Sequence, residues 1–196
     1  QAVEDAVRRG ANVIFTTTPK LLLSSVRQAA LHPDVKILNC SLNTSYPSVR
    51  TYYPRLYGAK FIKGAIAGTL TRDGCIGYVA DYPTYGSIAS INAFAQGARM
   101  VNANARIYLD WAHLRDGGAV GRLQAQGIVY IDYLDRLAAS TGTQMGNRHN
   151  LALIQTHWGR LYQSLVRRVM EGSWKQEDQG SSAVNYWWGM EQGVVS

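Results

Sequence analysis

Short runs typical of β-strands alternate along this chain with longer segments that have helical periodicity. Such alternation is typical of βαβ units, in which helices cover both faces of a parallel sheet. The 196 residues are 46% hydrophobic and 17% charged, a composition that excludes a disordered tail, a coiled coil and a collagen-like fibre. The sequence therefore predicts a globular α/β fold.

The pattern also predicts where the elements lie. Apolar β-branched and aromatic runs predict strands, and apolar residues at helical spacing between glycine and proline boundaries predict helices. The predicted strands are 12–16, 35–39, 74–80, 106–110, 128–131 and 151–155. The predicted helices are 2–9, 18–30, 57–70, 87–101 and 157–170, and 41–51 is predicted to be a loop.

In parallel α/β sheets ligands bind outside the carboxyl ends of the strands. The predicted loops there are rich in rings and carboxylates. The rings are those of Tyr82, Tyr85, Trp111, Tyr133 and Trp158, and the carboxylates are those of Asp81, Asp110, Asp132 and Asp135. Each ring could pack in the core and each aspartate could cap a loop, but five rings at one edge favour recognition of a flat ligand.

Catalytic and metal-binding patterns are missing from the sequence. It contains no Gly-x-Ser-x-Gly, phosphate-binding loop or Gly-x-Gly-x-x-Gly motif, and its four histidines lack metal-ligand spacing. Cys40 and Cys75 are expected to be buried free thiols rather than zinc ligands or a disulfide. We therefore expect no metal, no cofactor and no enzymatic activity.

The basic residues are dispersed, although the formal net charge is +7. The densest groups are the pairs Arg8-Arg9 and Arg167-Arg168. This pattern argues against a nucleic-acid partner. The longest apolar runs, such as 21–23, are far shorter than the ~20 residues of a membrane span.

Several longer segments together resemble one family. They are 13–17, 37–43, 77–83, 91–98, 185–190 and 193–195, together with 158–162 and 171–175. These segments are similar to those of the basic membrane lipoprotein (BMP, PnrA-like) family, whose members are substrate-binding proteins of ABC transporters. The resemblance covers nearly the whole chain, but 134–150 matches poorly beyond Asp135.

The resemblance implies the two-lobed type 1 periplasmic-binding-protein fold, with parallel sheets flanked by helices. Residues 1–73 would be lobe 1, 74–154 lobe 2 and 155–196 the return to lobe 1. The N-terminal part of lobe 1 is expected to be missing from this sequence. A solute would bind in the cleft between the lobes.

The resemblance also implies a function and a set of ligand-binding residues. Tyr82 and Trp111 would stack on a planar base, and Asp135 would accept hydrogen bonds from ribose hydroxyls. Three further ligand residues are expected to be Thr17, Asn43 and Trp158.

The implied protein is a monomeric extracytoplasmic receptor for a purine-nucleoside-like solute. It would deliver that solute to an ABC transporter permease. A lipid anchor outside this sequence would hold it at the bacterial membrane, where the dispersed basic surface faces anionic lipid. Two other hypotheses stay open: an effector-sensing domain of a transcription regulator with the same fold, and an enzyme on a Rossmann-like sheet.

Overall fold

A computed structural model describes residues 1–42, 46–81, 85–113, 118–133, 144–145, 151–174 and 184–196. The described helices are α1 (Ala2–Arg8), α2 (Leu22–Leu31), α3 (Tyr57–Leu70), α4 (Tyr85–Val101), α5 (Ala119–Ala125) and α6 (Trp158–Met170). The described strands are β1 (Val13–Thr16), β2 (Lys36–Cys40), β3 (Arg50–Pro54), β4 (Cys75–Ala80), β5 (Arg106–Trp111), β6 (Tyr130–Tyr133), β7 (Gln144–Met145) and β8 (Asn185–Trp188).

The chain packs as two compact units. The first contains residues 1–54 and 157–194, and the second contains 55–156 and 195–196. The first boundary lies before α3, whereas the resemblance implies that residues up to 73 belong to lobe 1. The lobe boundaries expected from the resemblance stay a prediction.

The first unit is built on a parallel sheet in the order β1-β2-β3-β8. Ile14 of β1 and Ile37 of β2 are buried against apolar residues of α1 and α2, such as Val3 and Ala29. The Cα register pairs Thr16 with Asn39 and Cys40 with Tyr52. This register brings the carboxyl ends of three strands to one edge of the sheet.

The second unit has the strand order β5-β4-β6-β7. Strand β4 is parallel to both β5 and β6, and the short β7 is antiparallel to β6. Tyr78 of β4 packs with Phe94 of α4 and Ala67 of α3, whereas Val79 packs with Leu123 of α5. Because neighbouring residues of a strand face opposite ways, helices cover both faces of this sheet. The predicted α/β architecture is confirmed.

Helices α3 and α4 pack closely because glycines occupy their contact. A Cβ atom added at Gly64 would overlap the carbonyl oxygen of Phe94, and one at Gly97 would overlap that of Phe61. The small residues that the sequence places along α3 are therefore needed for this helix packing.

Several elements differ from the prediction. Strand β3 lies partly in the predicted loop 41–51 and extends beyond it, and helix α5 was not predicted. Residues 151–155 form no named strand; the adjacent Thr156 makes an isolated antiparallel bridge with Val195. Strand β8, at Asn185–Trp188, was not among the predicted strands. Among the described helices, none combines the length and apolar character needed to cross a bilayer.

Candidate functional site

The turn after β1, residues 16–18, is held by side chains from two directions. The Asn39 Nδ2 donates to Thr16 Oγ1 at 2.6 Å and to the Thr18 carbonyl oxygen at 3.0 Å. The Thr18 hydroxyl accepts from the Lys20 amide at 3.4 Å and so caps the short 3-10 turn that leads into α2. Thr17, at the centre of this turn, is exposed.

Four aromatic side chains gather on one face of the same sheet, and we call Phe15, Tyr52, Trp158 and Tyr162 the aromatic cluster. Trp158 and Tyr162 are one helical turn apart on α6, and their rings stack with centroids 5.9 Å apart at 21°. The Tyr52 ring meets both of them edge-on, at 6.1 and 5.7 Å. Trp158 is half-buried, so the aromatic cluster orients a ring that remains partly accessible to solvent.

The hydroxyl of Tyr52 joins the cluster to the turn. It donates to the Thr16 carbonyl oxygen at 3.2 Å, and it lies 3.4 Å from the Tyr162 hydroxyl. A phenol has one proton to donate, so Tyr162 is the donor in the second contact. Burial raises the pKa of Tyr52 far above its ordinary value. The group therefore keeps its proton at every physiological pH.

Two buried oxygens at the end of β2 have no hydrogen-bond partner among the described residues: Asn39 Oδ1 and Ser41 Oγ. The Thr18 carbonyl can only accept, which fixes the Asn39 amide with its nitrogen toward Thr18. A buried polar atom without a partner costs about 1–3 kcal/mol. Each oxygen can accept a further hydrogen bond, but Asn39 is fully buried, so its role is to hold the turn through Thr16 and Thr18.

Cys40 lies in the same strand and is a half-buried free thiol, as is Cys75. Burial raises the pKa of Cys40 to about 11. A thiol with a raised pKa is a poor nucleophile and a poor metal ligand at neutral pH. Within the ranges that the structure describes, no three histidine, cysteine or acidic side chains converge in a way that could hold a metal ion.

In the second unit, two of the carboxylates considered as ligand acceptors contact cations of the chain. Asp132 is buried between Lys60 and Lys63 of α3, with Lys60 Nζ 2.6 Å from Asp132 Oδ2. Asp110 receives two hydrogen bonds from Arg122, at 2.8 and 3.0 Å. These contacts favour structural roles for both carboxylates.

Burial alone would raise the pKa of Asp132. The charges and hydrogen bonds of Lys60 and Lys63 outweigh that effect and lower it to about 2. The carboxylate is therefore ionised at neutral pH. Its charge balances part of the cationic charge of α3 inside the unit.

At the carboxyl edge of the second sheet, His113 Nε2 lies 2.6 Å from Asp81 Oδ1. Trp111, at the end of β5, is half-buried and packs against the core cluster that contains Tyr78 and Phe94. The ring thus has a packing role on at least part of its surface.

The expected ligand residues fall into three groups. Thr17 and Trp158 belong to the first unit, where Thr16 and Tyr52 connect them. Trp111 lies in the second unit. The remaining three, Asn43, Tyr82 and Asp135, lie outside the described residues.

Sequence reasoning missed Asn39 and Tyr52 as members of the site. Asn39 carried a signal, since an amide inside an otherwise apolar strand needs hydrogen-bond partners. Tyr52 carried little signal, because its strand was not predicted.

Comparison with known proteins places the chain in a family. The profile described as "Bmp: ABC transporter substrate-binding protein PnrA-like" matches residues 1–142. The chain belongs to this family. The resemblance identified from the sequence segments is thus confirmed.

Two curated relatives match almost the whole chain. A purine-binding protein of Brucella abortus is 25% identical over 100% of this chain and 60% of its own length. A putative ABC transporter glucose-binding protein of Haloferax volcanii is 26% identical over 97% of this chain and 52% of its own length. The chain thus spans about half to three fifths of the length of these relatives.

Solved structures show the same fold. A solute-binding protein of an ABC transporter system from Conexibacter woesei has a TM-score of 0.69 at 15% identity, covering 100% of this chain and 71% of its own. A transcriptional activator of the comK gene from Bacillus halodurans has a TM-score of 0.70 at 18% identity, covering 100% of this chain and 73% of its own. At these identities the likeness is one of fold.

Proposed function

We propose that this member of the Bmp family binds a planar, purine-nucleoside-like solute and presents it to the permease of an ABC transporter. The observation that carries the proposal is one arrangement at the carboxyl edge of the first sheet. There, the partly accessible ring of Trp158 is connected through Tyr52 to the turn that carries the exposed Thr17.

Each part of this arrangement suits a nucleobase. An indole that stacks on a flat heterocycle contributes apolar area with a defined geometry. Ser41 Oγ, which has no hydrogen-bond partner among the described residues, can accept a hydrogen bond from an exocyclic amino group or a hydroxyl. Thr17 supplies an exposed hydroxyl that can donate or accept.

The relatives support this solute class in part. One of them is named as a purine-binding protein and another as a putative glucose-binding protein. A ring platform discriminates between them, because a planar base stacks over its whole face whereas a sugar presents only its C–H groups. The partly accessible ring of Trp158 therefore favours the purine over the sugar.

The proposal requires no chemistry on the solute. We infer that the protein acts outside the cytoplasm as a monomer, held at the membrane by a lipid anchor, and that its cargo leaves unchanged. Incubation of the protein with a purine nucleoside, followed by mass spectrometry, should return the same mass. Time-dependent loss of that mass would instead indicate an enzyme.

Mass spectrometry of the solute that co-purifies with the full natural chain tests the proposal, together with thermal unfolding in a panel of nucleosides, nucleobases and glucose. A solute that binds only the folded state raises the melting temperature by mass action. We expect a rise with at least one purine compound and none with glucose. A rise with glucose alone, or with no compound of the panel, would contradict the proposed solute class.

A further inference from the structure

We propose that Tyr52 is a positioning residue of the solute site. It orients both the turn at 16–18 and the ring of Trp158, and it does not itself contact the solute. This inference rests on the proposed function for its link to binding. The Tyr52 side chain is only 1% exposed, so a solute reaches it only through its neighbours.

The hydroxyl of Tyr52 makes a hydrogen bond of defined direction to the turn. The Tyr52 hydroxyl gives its single proton to the Thr16 carbonyl, and that carbonyl belongs to the same peptide unit as the Thr17 amide. The bond therefore fixes the plane of the peptide from which the exposed Thr17 side chain projects.

The turn at 16–18 is held from both faces of the sheet. In the register, Tyr52 pairs with Cys40 and Thr16 pairs with Asn39. Because side chains alternate along a strand, Tyr52 and Asn39 lie on opposite faces. Asn39 binds the Thr18 carbonyl from one face while Tyr52 binds the Thr16 carbonyl from the other. Removal of either bond leaves the turn held on one face.

The Tyr52 side chain also contacts Trp158. The Tyr52 ring lies edge-on to the indole with centroids 6.1 Å apart at 83°. An edge-on contact of this kind is a favoured aromatic geometry and limits rotation of the partner ring. One buried residue thus orients both the polar and the aromatic part of the site.

The chain offers a matched pair of variants. Tyr52→Phe keeps the ring and removes the hydroxyl that holds the Thr16 carbonyl. Tyr162→Phe removes the contact between the two hydroxyls but leaves Tyr52 free to donate to Thr16. A role confined to stability would affect binding alike in the two variants.

Both variants, made in the full natural chain, are compared with the wild type by two measurements. One is the affinity for the purine nucleoside that binds the wild type, measured by calorimetry. The other, which needs no solute, is the NMR chemical shift of the Thr17 amide. We expect Tyr52→Phe to lose about three- to tenfold in affinity, the equivalent of one hydrogen bond. We also expect it to change the NMR chemical shift of the Thr17 amide, while Tyr162→Phe stays within about twofold of the wild type in affinity.

The outcomes separate this inference from the proposed function. If the wild type binds a nucleoside and the two variants bind it equally well, Tyr52 does not position the site. If the Thr17 amide is unchanged in Tyr52→Phe, the inference is overturned whatever the solute. If the wild type binds no compound of the panel while the Thr17 amide responds as expected, the proposed function fails and the control of the turn by Tyr52 stands.

Discussion

Lys60 of α3 lies with its Nζ atom 2.6 Å from Oδ2 of Asp132 in β6, and both side chains are buried. Lys63, one helical turn further along, binds the other carboxylate oxygen. The Lys60 ammonium also lies 4.9 Å from the centre of the Tyr78 ring, a favourable cation–π distance. These contacts tie α3 to two neighbouring strands of the second sheet.

Replacement of Asp132 by asparagine should strongly destabilise the second unit. Two buried ammonium groups would lose their shared carboxylate, and breaking a buried ion pair costs about 3–5 kcal/mol. Urea unfolding followed by circular dichroism measures the loss. The matched control is Asp5→Asn, which removes an exposed ion pair with Arg8 and should change the free energy of unfolding by about 0.5 kcal/mol or less. Similar small effects in both variants would contradict the structural role of Asp132.

The same carboxylate predicts a pH dependence of stability. Its pKa is about 2 in the folded protein, below the ordinary value of 3.8. A group with a depressed pKa contributes stability above its unfolded pKa, and that contribution disappears as the pH falls through the folded value. The wild type should therefore lose its advantage over Asp132→Asn between about pH 4 and pH 2. Melting temperatures of the two proteins across this range test the expectation, and a constant difference would refute it.

The close contact of α3 with α4 predicts that a larger side chain at Gly64 destabilises the second unit. Alanine there would overlap the Phe94 carbonyl, which is backbone and yields only if a helix moves. We expect Gly64→Ala to lower the free energy of unfolding by about 1–3 kcal/mol. Gly121→Ala in α5 is the control, because no atom lies within 4 Å of its added Cβ. It should stabilise the helix by up to about 1 kcal/mol. A Gly64→Ala protein as stable as the wild type would show that the helices are further apart than described.

The contacts of Arg50 predict that a lysine at this position destabilises the first unit. Its guanidinium is buried, lies 3.5 Å from the centre of the Trp174 ring, and donates to the Trp174 carbonyl at 2.6 Å and to the Tyr186 hydroxyl. Lysine cannot stack on the ring and bind both oxygens at once. Arg50→Lys should therefore cost about 1–3 kcal/mol, measured by chemical unfolding. Arg55→Lys is the control, because Arg55 lies at the longer distance of 5.5 Å from the Tyr57 ring. An equal effect of the two substitutions would contradict the account.

Periodicity predicted the α/β class and most of the helices, because those elements bury one apolar face against a sheet. It failed for β3, whose sequence Arg-Thr-Tyr-Tyr-Pro lacks an aliphatic run, although four of its five residues are buried. That strand is stabilised by contacts distant in sequence, such as those of Arg50 with Trp174 and Tyr186. Local propensity cannot report such contacts.

The candidate site was predictable in part for the same reason. Thr17 and Trp158 were named from predicted strand ends and from the family resemblance; Thr17 directly follows β1, and Trp158 is the first residue of α6. Asn39 and Tyr52 act through neighbours that only the register of three strands brings together. The roles of Asp110 and Asp132 depend on cations from α5 and α3. Their positions at strand ends gave no hint of those partners.

The most direct test of the central claim is calorimetric titration of adenosine, guanosine and their free bases into the full natural chain, with Trp158→Leu as the variant. Leucine fills part of the indole volume but offers no ring for stacking. We predict saturable binding of at least one purine compound by the wild type and an affinity weakened about tenfold or more in the variant, as expected when a stacking ring is lost. Absence of binding by the wild type, or equal affinity in Trp158→Leu, would contradict the assignment of the first-sheet edge as a purine site.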